Sequence, residues 1–219
     1  MTSRVFSHYM KNELLVIMAQ TEFLENMLER SPEAVAEVRV IEQRCRKCTS
    51  GWIPSTKNAE VEIELQPVAL SKLLDKLLQD MRSELKPIQV GYVPPAKQPV
   101  IMADPYYFSQ AIGNVISNAV DALEYVPDKS RRLAIELIVR NKWVELTISD
   151  NGAGMTEEQV GQIFQPFYSS KPTATNWGMG LSISHSIITA HGGKIHAESR
   201  LGEGSTFRIV MPLLSIAKS

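Results

Sequence analysis

The sequence predicts an α+β fold in two parts, an N-terminal helical hairpin and an α/β sandwich that follows it. Three observations lead to this prediction. Residues 2–30 contain no glycine or proline, and their apolar residues recur every three or four positions, as on one face of a helix. A short break and a second stretch with the same period come next. Beyond residue 60, alternating strand-like runs mix with helical ones, which is typical of a largely antiparallel sheet with helices on one face.

The composition narrows the classes of function. Hydrophobic residues make up 44% and charged residues 21% of the chain, as in ordinary soluble globular proteins. A formal net charge of −1 gives no reason to expect nucleic acid or an anionic membrane as the main partner. No run approaches the ~20 apolar residues of a membrane span, and the N-terminus lacks a signal-peptide pattern. Two cysteines cannot make a disulfide scaffold, so we expect this part of the protein in the cytoplasm.

The N-terminal helices carry two heptad seams joined by a turn at Ser31 and Pro32. The first seam consists of Met10, Leu14, Ile17, Thr21, Leu24 and Leu28, and the second of Ala34, Val38, Ile41, Cys45, Cys48 and Trp52. One hairpin buries little apolar surface, so we expect two copies to pair as a homodimeric four-helix bundle. Because Cys45 and Cys48 lie in the seam, we interpret them as core residues rather than as half of a metal site.

The boundary between the two parts is predicted near residue 55, where Gly51 and Pro54 end the second helix and a polar stretch begins. In the second domain, Asp104 is expected to cap a long helix and Asn141 to open a tight hairpin turn. The predicted domains are the hairpin at 1–54, a linker at 55–59 and the second domain at 60–219. The predicted strands are 61–65, 88–93, 99–102, 132–140, 143–149, 194–199 and 205–212, and the predicted helices are 68–85, 104–125 and one that ends near 190.

Several single residues of the second domain are assigned structural roles. Trp143 and Phe207 are predicted to be core residues of the sheet. His185 and His196 are interpreted as structural rather than catalytic. His191 begins a His-Gly-Gly turn that is expected to end a helix.

A polar face on the helix at 104–125 is a candidate ligand site. Asn114 and Asn118 are four residues apart and share a face, and Asp121 lies one turn further along it. Side-chain amides oriented together can bind phosphate oxygens and a hydrated magnesium ion, because Mg²⁺ prefers oxygen ligands. An asparagine-rich face can equally be a merely solvated one. This segment alone leaves both interpretations open.

A glycine-bracketed segment at 149–181 is predicted to be a lid over a ligand. It opens with Asp150-Asn-Gly-Ala-Gly-Met155 and closes with Gly178-Met-Gly-Leu181. The segment is too polar and too broken for a packed element, and too long for an ordinary connection. Because glycine has no side chain, such a backbone can approach phosphate groups closely. We expect this segment to be the most mobile part of the second domain when the ligand is absent, so residues 173–177 should not be ordered and tightly packed there.

Together these segments resemble the catalytic and ATP-binding domain of sensor histidine kinases, within the GHKL superfamily. Four boxes of that family occur in order, the N box at 114–121, the G1 box at 150–155, the F box at 164–167 and the G2 box at 178–181. Residues 202–207 also match the closing glycine strand of the family. The G2 box departs from the pattern, since Ser182 stands where many members have a third glycine. We expect this difference to alter lid flexibility more than binding.

The resemblance implies that the domain binds ATP and Mg²⁺. It implies that Asp150 accepts a hydrogen bond from the adenine amino group, that Asn118 binds Mg²⁺ and that Asn114 binds the phosphates. Lys171 is implied as a further phosphate partner, and the glycines as shaping the pocket and lid. The ATP-binding residues implied in this way are Asn114, Asn118, Asp121, Asp150, Gly152, Gly154, Lys171, Gly178, Gly180, Leu181 and Ser205.

Asn114 also separates two activities within the superfamily. The ATP-hydrolysing members resemble this helix but place a glutamate at that position, where it activates water. An amide has no useful basicity and cannot be a general base. We therefore predict phosphoryl transfer rather than ATP hydrolysis.

His8 falls outside the heptad seam, one turn before Lys11, where its ring nitrogen could attack a γ-phosphate. A lone histidine on a helix is normally just a surface residue, but its position directly upstream of an ATP-binding domain makes His8 the predicted phosphate acceptor. The run His8-Tyr-Met-Lys-Asn12 resembles the H box of the dimerisation and phosphoacceptor domain of histidine kinases, which implies catalytic roles for His8, Lys11 and Asn12. Asn12 matches the position that relatives use to hold water during dephosphorylation of the partner, so phosphatase activity is a further hypothesis. Tyr9 stands where many members have an acidic residue, which leaves the base for His8 open.

These residues predict the catalytic core of a two-component sensor histidine kinase, with Mg-ATP-dependent autophosphorylation of His8 and phosphotransfer to an aspartate of a response-regulator receiver domain. We expect a homodimer, an upstream sensor domain that could anchor the full-length protein in a membrane, and no nucleic-acid partner. Two other functions stay open, a non-catalytic phosphotransfer or scaffold module with a degenerate ATP site, and a GHKL-type ATPase. The sequence does not distinguish transfer within one subunit from transfer between subunits.

Overall fold

The computed structural model describes residues 40–41, 63–165, 168 and 180–214 of the chain. The chain divides into two units, Met1–Glu60 and Val61–Ser219. Of the first unit, residues 40 and 41 alone are described, and both are helical. The rest of the predicted hairpin, its pairing as a dimer and the linker lie outside the described residues. Within the described ranges, no helix is long and apolar enough to cross a membrane.

The second unit is built on a mixed sheet. Its strands are β1 (Gln66–Ala69), β2 (Gln89–Tyr92), β3 (Val100–Ala103), β4 (Arg132–Arg140), β5 (Trp143–Asp150), β6 (Lys194–Arg200) and β7 (Gly204–Pro212), and its helices are α1 (Leu70–Asp80), α2 (Arg82–Leu85), α3 (Pro105–Leu123), α4 (Glu157–Gln162) and α5 (Gly180–Ala190). Five strands pair in the order β2-β4-β5-β7-β6, and β1 and β3 form a separate antiparallel pair. In the five-stranded sheet β2 runs parallel to β4, and the other pairs are antiparallel. The predicted α+β fold with a largely antiparallel sheet is confirmed for this unit.

Strand β5 shows how the sheet sets its two faces. Val144, Leu146 and Ile148 are at most 1% exposed, whereas the residues between them are partly exposed. Because side chains alternate along a strand, these three lie on one face, and helix α3 contacts this strand. Asp150 continues the same alternation. Its carboxyl group therefore ends a row of buried apolar side chains on the core side of the sheet.

Helix α3 begins where the sequence predicts. The Asp104 carboxylate accepts hydrogen bonds from the backbone N–H groups of Tyr106 and Tyr107 at 3.0 and 3.2 Å, and Pro105 holds the first helical position. The helix buries Tyr107, Phe108, Ala111, Ile112, Val115, Ile116, Ala119 and Leu123. Its polar face, with Asn114 and Asn118, stays partly exposed at the border of this core.

The start of α3 and the end of α5 are joined through His191. Its Nε2 accepts the backbone N–H of Asp104 at 2.9 Å, and its Nδ1 lies 2.7 Å from the carbonyl oxygen of Ile187. Since a carbonyl oxygen only accepts, the ring carries its proton on Nδ1. The predicted turn at His191 is confirmed. The buried side chain also links two helices, which the sequence pattern did not indicate.

The N-terminal edge of the second unit differs from the prediction. Residues 63–65 are not a strand, and Val68 belongs to β1 rather than to the following helix. Strand β1 pairs with β3, where Val68 lies opposite Ile101 and both side chains are buried. The start and end of β1 therefore depend on pairing with a distant strand and cannot be predicted from local alternation. The helix predicted at 68–85 is also divided at Met81 into α1 and α2.

The prediction that Trp143 is a core residue is wrong, since its side chain is 49% exposed. Val144, the next residue, points into the core, so alternation places Trp143 on the outer face of the sheet. Phe207 is 3% exposed, which confirms it as a core residue. The turn predicted between β4 and β5 is also confirmed, and Asn141 adopts a positive φ of 32° there.

Candidate functional site

Asp150 lies at the end of β5, between two neighbouring strands. Leu133 of β4 and Ser205 of β7 are directly opposite it, and its side chain is buried. Its Oδ1 accepts the backbone N–H of Gly152 at 2.8 Å. Burial raises the pKa of the Asp150 carboxyl above its ordinary value, and the backbone N–H groups of Gly152, Ser205 and Asp150 itself offset part of the rise. A carboxylate placed in this way is a specific acceptor for a ligand N–H group.

The loop after Asp150 is held against the end of helix α3. The backbone N–H of Ala153 donates to the carbonyl oxygen of Ala122 at 3.1 Å. A Cβ atom on Gly152 would lie 2.7 Å from the carbonyl carbon, carbonyl oxygen and Cβ of Ala122. Glycine is therefore required at 152 by the close approach of helix and loop. The first glycine of the G1 box is thus explained by packing against the helix that carries the N box.

The same loop is also fixed to the turn between β6 and β7. Gly154 has a φ of 64°, and a Cβ there would overlap the carbonyl oxygen of Arg200. The backbone N–H of Gly202 donates to the carbonyl oxygen of Ala153 at 2.7 Å. The backbone N–H of Met155 donates to the hydroxyl of Ser199 at 2.8 Å. The loop after Asp150 is thus held on two sides, by helix α3 and by the turn between β6 and β7.

Asn114 and Asn118 face the start of helix α5. The side-chain amide nitrogen of Asn114 donates to the carbonyl oxygen of Gly180 at 3.2 Å, and that of Asn118 donates to the backbone carbonyl of Asn114 at 2.7 Å. A Cβ on Gly180 would lie 3.8–3.9 Å from atoms of both asparagines. The N box and the second glycine of the G2 box are therefore in contact.

Ser184 fastens α5 to α3 beneath this contact. Its hydroxyl, which is fully buried, lies 3.0 Å from the carbonyl oxygen of Ala111 and 2.9 Å from that of Gly180. Because one hydroxyl proton is shared between two carbonyl oxygens, Ser184 links the two helices at the level of Asn114. The position of Gly180 is thus set by packing and hydrogen bonding together.

The structure describes some of the predicted site residues and not others. Asp121 lies next to Ala122 on α3 and is partly exposed, and Leu181 packs partly buried against the core. The predicted site residues that the structure describes are Asn114, Asn118, Asp121, Asp150, Gly152, Gly154, Gly180, Leu181 and Ser205. His8, Lys11, Asn12, Lys171 and Gly178 lie outside the described residues, as does the predicted mobile stretch at 173–177. Phe164 of the F box is described, and its ring centroid lies 5.5 Å from that of His185.

Sequence reasoning missed Ser199, Ser184 and Ala122, which support the site residues through hydrogen bonds and packing. A small residue at the end of a predicted helix is the one signal that could have pointed to Ala122. Ser199 could be found once the register of β6 and β7 was known, because it lies directly opposite Ser205. That register depends on contacts that a single sequence does not display.

Residues 103–215, just over half of the chain, match the histidine kinase-, DNA gyrase B-, and HSP90-like ATPase family. The fold and the site define an ATP-binding α/β sandwich of the GHKL class. The chain belongs to this family. The likeness predicted from the four boxes is thereby confirmed for the second unit.

Individual proteins similar to this chain include sensor proteins and a histidine kinase domain. Sensor protein FixL of Bradyrhizobium diazoefficiens is 31% identical over 219 residues, which cover 94% of this chain and 40% of FixL. Sensor histidine kinase ZraS of Escherichia coli K12 is 27% identical over 212 residues, which cover 94% of this chain and 44% of ZraS. The catalytic domain of histidine kinase ThkA, in a nucleotide-free form, has a TM-score of 0.59 at 25% identity, covering 68% of this chain and 95% of that one. The chain thus spans less than half the length of either sensor protein.

Proposed function

We propose that this chain is the catalytic core of a two-component sensor histidine kinase. It binds ATP with Mg²⁺, transfers the γ-phosphoryl group to His8 and passes it to an aspartate of a response-regulator receiver domain. The observation that carries the proposal is the hydrogen bond from the Asn114 amide to the Gly180 carbonyl oxygen. It joins the polar face of α3 to the start of α5, while Asp150 ends a strand that packs against the same helix.

Asp150 is the proposed partner of the adenine base. The Gly152 N–H group donates to its Oδ1, and a carboxylate has about four acceptor sites, so it can also accept the exocyclic amino group. Burial strengthens such a bond, because little water competes for the carboxylate. The glycines at 152 and 154 let the loop pack closely against α3 and the β6–β7 turn, which fixes the backbone beside Asp150.

Asn114 and Asn118 are the proposed partners of the phosphates and of Mg²⁺. The amide nitrogen of Asn118 donates to the backbone carbonyl of Asn114, so its side-chain oxygen is the atom proposed to bind the ion. Mg²⁺ takes one or two protein oxygens together with phosphate oxygens and water, so one amide oxygen fits it. Bound there, the ion would neutralise negative charge on the phosphates. The Asn114 amide has a second hydrogen for a phosphate oxygen besides the one donated to Gly180.

The reaction is an in-line displacement at the γ-phosphorus. A bond forms between the His8 ring nitrogen and phosphorus as the bond to the ADP oxygen breaks, and the imidazole proton passes to a base. Glu13 is the nearest acidic residue to His8 in the sequence. Lys11 supplies positive charge, and Asn12 holds a water when the phosphorylated partner is dephosphorylated. The proposed homodimer forms through residues 1–54, which contain His8.

Asn114→Glu tests whether the site is built for transfer. In the wild-type chain, labelled phosphate from ATP should accumulate on the protein faster than free phosphate is released. A glutamate at 114 supplies a general base for water, so the ratio of free to protein-bound phosphate should rise about tenfold or more. Asn114→Ala, which lacks both the amide and a base, should lower protein labelling without that rise. A wild-type chain that releases free phosphate and never becomes labelled would contradict the proposal.

A further inference from the structure

Three polar side chains form one row across the end of the sheet. Asp150 of β5 lies directly opposite Ser205 of β7, and Ser205 lies directly opposite Ser199 of β6. Residues that are directly opposite in antiparallel strands point to the same face. The row two residues along consists of Ile148, Phe207 and Ala197 and is apolar. The apolar face of the sheet therefore ends in a carboxylate and two hydroxyls, at the proposed base pocket.

The hydrogen bonds of Ser199 fix the direction of the Ser205 hydroxyl. Ser199 Oγ lies 2.8 Å from the carbonyl oxygen of Gly204, and a carbonyl oxygen only accepts, so the single proton of Ser199 goes there. The Oγ atoms of Ser199 and Ser205 are 3.0 Å apart. With the Ser199 proton already engaged, Ser205 is the donor in this pair. Ser199 Oγ also accepts the Met155 N–H group, so its hydrogen-bonding capacity is filled.

A Ser205 hydroxyl whose proton points to Ser199 presents lone pairs to the pocket. Asp150 presents a carboxylate beside it. Both groups are then acceptors, which suits the amino group at position 6 of adenine. A purine with an oxo group at that position would place a third acceptor against them, and leaving polar groups without partners costs affinity.

We propose that Ser199 is a positioning residue that sets base specificity by holding the Ser205 hydroxyl as an acceptor, so that the pocket discriminates against 6-oxopurine nucleotides. The inference rests on the proposed nucleotide binding and adds a residue that acts through another. Ser199 does not touch the base itself. When Ser199 is lost, the Ser205 hydroxyl can rotate and donate to an oxo group.

A merely structural role for Ser199 has a different consequence. Its bond to Met155 helps to hold the loop after Asp150, and losing that bond would weaken binding of every nucleotide in parallel. The ratio of two affinities separates the two roles. ATP and inosine triphosphate suit this comparison, because they differ in the groups at and beside position 6 of the base.

The test is calorimetric titration of the full chain with each nucleotide in the presence of Mg²⁺. In Ser199→Ala the preference for ATP over inosine triphosphate should fall about tenfold, which corresponds to about one hydrogen bond. In Ser199→Ala/Ser205→Ala this fall should be smaller, because no hydroxyl remains to donate to the oxo group. Ser205→Ala alone removes an acceptor without adding a donor, so it should reduce the preference less than Ser199→Ala does.

The matched control is Thr206→Val. The Thr206 hydroxyl lies 3.0 Å from that of Ser149 in an equivalent cross-strand pair on the other face of the sheet, so its loss should leave the preference unchanged. An unchanged preference in Ser199→Ala, or in Ser205→Ala, would overturn the inference while leaving nucleotide binding intact. A wild-type chain that binds neither nucleotide would instead remove the proposed function on which it rests.

Discussion

Asp150 combines a proposed binding role with a cost in stability. Its carboxyl group ends a buried row on the core face of β5, and backbone N–H groups compensate its charge in part. Burial is the larger influence, so the pKa of this carboxyl is raised. The fold therefore holds a titratable side chain in a position where burial disfavours its charged form. Residues selected for binding rather than for stability commonly show this conflict.

Asp150→Asn should separate these two roles. A raised pKa in the folded state means that the carboxyl favours folding most below its ordinary pKa of 3.8, and that this contribution is lost as pH rises through the folded-state pKa. Asparagine does not titrate. The free energy of unfolding of Asp150→Asn minus that of wild type should therefore increase between about pH 4 and about pH 8.

The measurement is urea unfolding of both proteins without nucleotide across that pH range. Affinity for ATP at neutral pH should meanwhile fall by about tenfold or more, since a charged acceptor is lost. A stability difference that is constant with pH, or that decreases as pH rises, would show that burial does not dominate at this carboxyl.

Gly152 and Gly161 predict opposite effects of the same substitution. In Gly152→Ala the new Cβ meets backbone atoms of Ala122 at 2.7 Å, so helix or loop must move, and we expect a loss of about 1–3 kcal/mol in the free energy of unfolding. Gly161 lies in α4 with open space around it, so Gly161→Ala should stabilise the protein by up to about 1 kcal/mol. Chemical unfolding of both variants checks this. Equal effects would mean that the contact at Ala122 is not tight.

Among the elements, α3 and α5 form the frame of the site. They are joined near Asn114 by Ser184, and at their far ends by the bonds of His191 to Asp104 and Ile187. Two links some distance apart fix both the spacing and the angle of a helix pair. The Asn114–Gly180 contact lies between elements that are constrained in this way, which is what a preorganised phosphate site requires.

His191→Ala should loosen this pair of helices. The variant loses a buried ring that packs 5.6 Å from the ring of Phe108, together with both hydrogen bonds, and we expect a loss of about 2–4 kcal/mol in the free energy of unfolding. His196 is exposed on β6, so His196→Ala is the control and should change stability by less than about 0.5 kcal/mol. Thermal and urea unfolding measure both. Equal stability of the two variants would assign His191 no role in joining the helices.

The elements also show how far sequence reasoning reaches. The bounds of β4 and the cap at Asp104 were predicted because alternation and capping are local signals. Strand β1 was misplaced by several residues, since its position depends on pairing with β3 more than 30 residues away. Trp143 was predicted to be a core residue, although alternation with the buried Val144 places it on the outer face of the sheet.

The contrast between local signals and long-range pairing also applies to the residues of the site. The residues proposed to touch a ligand lie in short motifs that a single sequence displays, with Asp150, Asn114 and Asn118 as examples. Residues that support the site without facing a ligand were missed. Ser199 is one of them, because its contact with Ser205 follows only from the register of β6 and β7. A local pattern can identify a functional group, but its orientation depends on strands that are distant in the sequence.

For the whole molecule, the family places ATP binding in the second unit, and the proposal places the phosphate acceptor in the first. Residues 103–215 match the family, whereas His8 precedes them by almost a hundred residues. The proposed kinase thus depends on two units that carry different parts of one reaction. An amide rather than a carboxylate at 114 is consistent with such a division, because ATP must survive in the pocket until the histidine arrives.

The most direct test of this account is the chemical nature of the phosphate that the chain takes from γ-labelled ATP in the presence of Mg²⁺. The account predicts a label on the protein that is lost in acid, survives base and disappears in His8→Gln. The His8→Gln chain should still bind ATP, so that the loss is one of acceptor and not of fold. A label that survives acid but not base, or one that persists in His8→Gln, would contradict the assignment of His8. Free phosphate without any labelled protein would contradict the kinase itself.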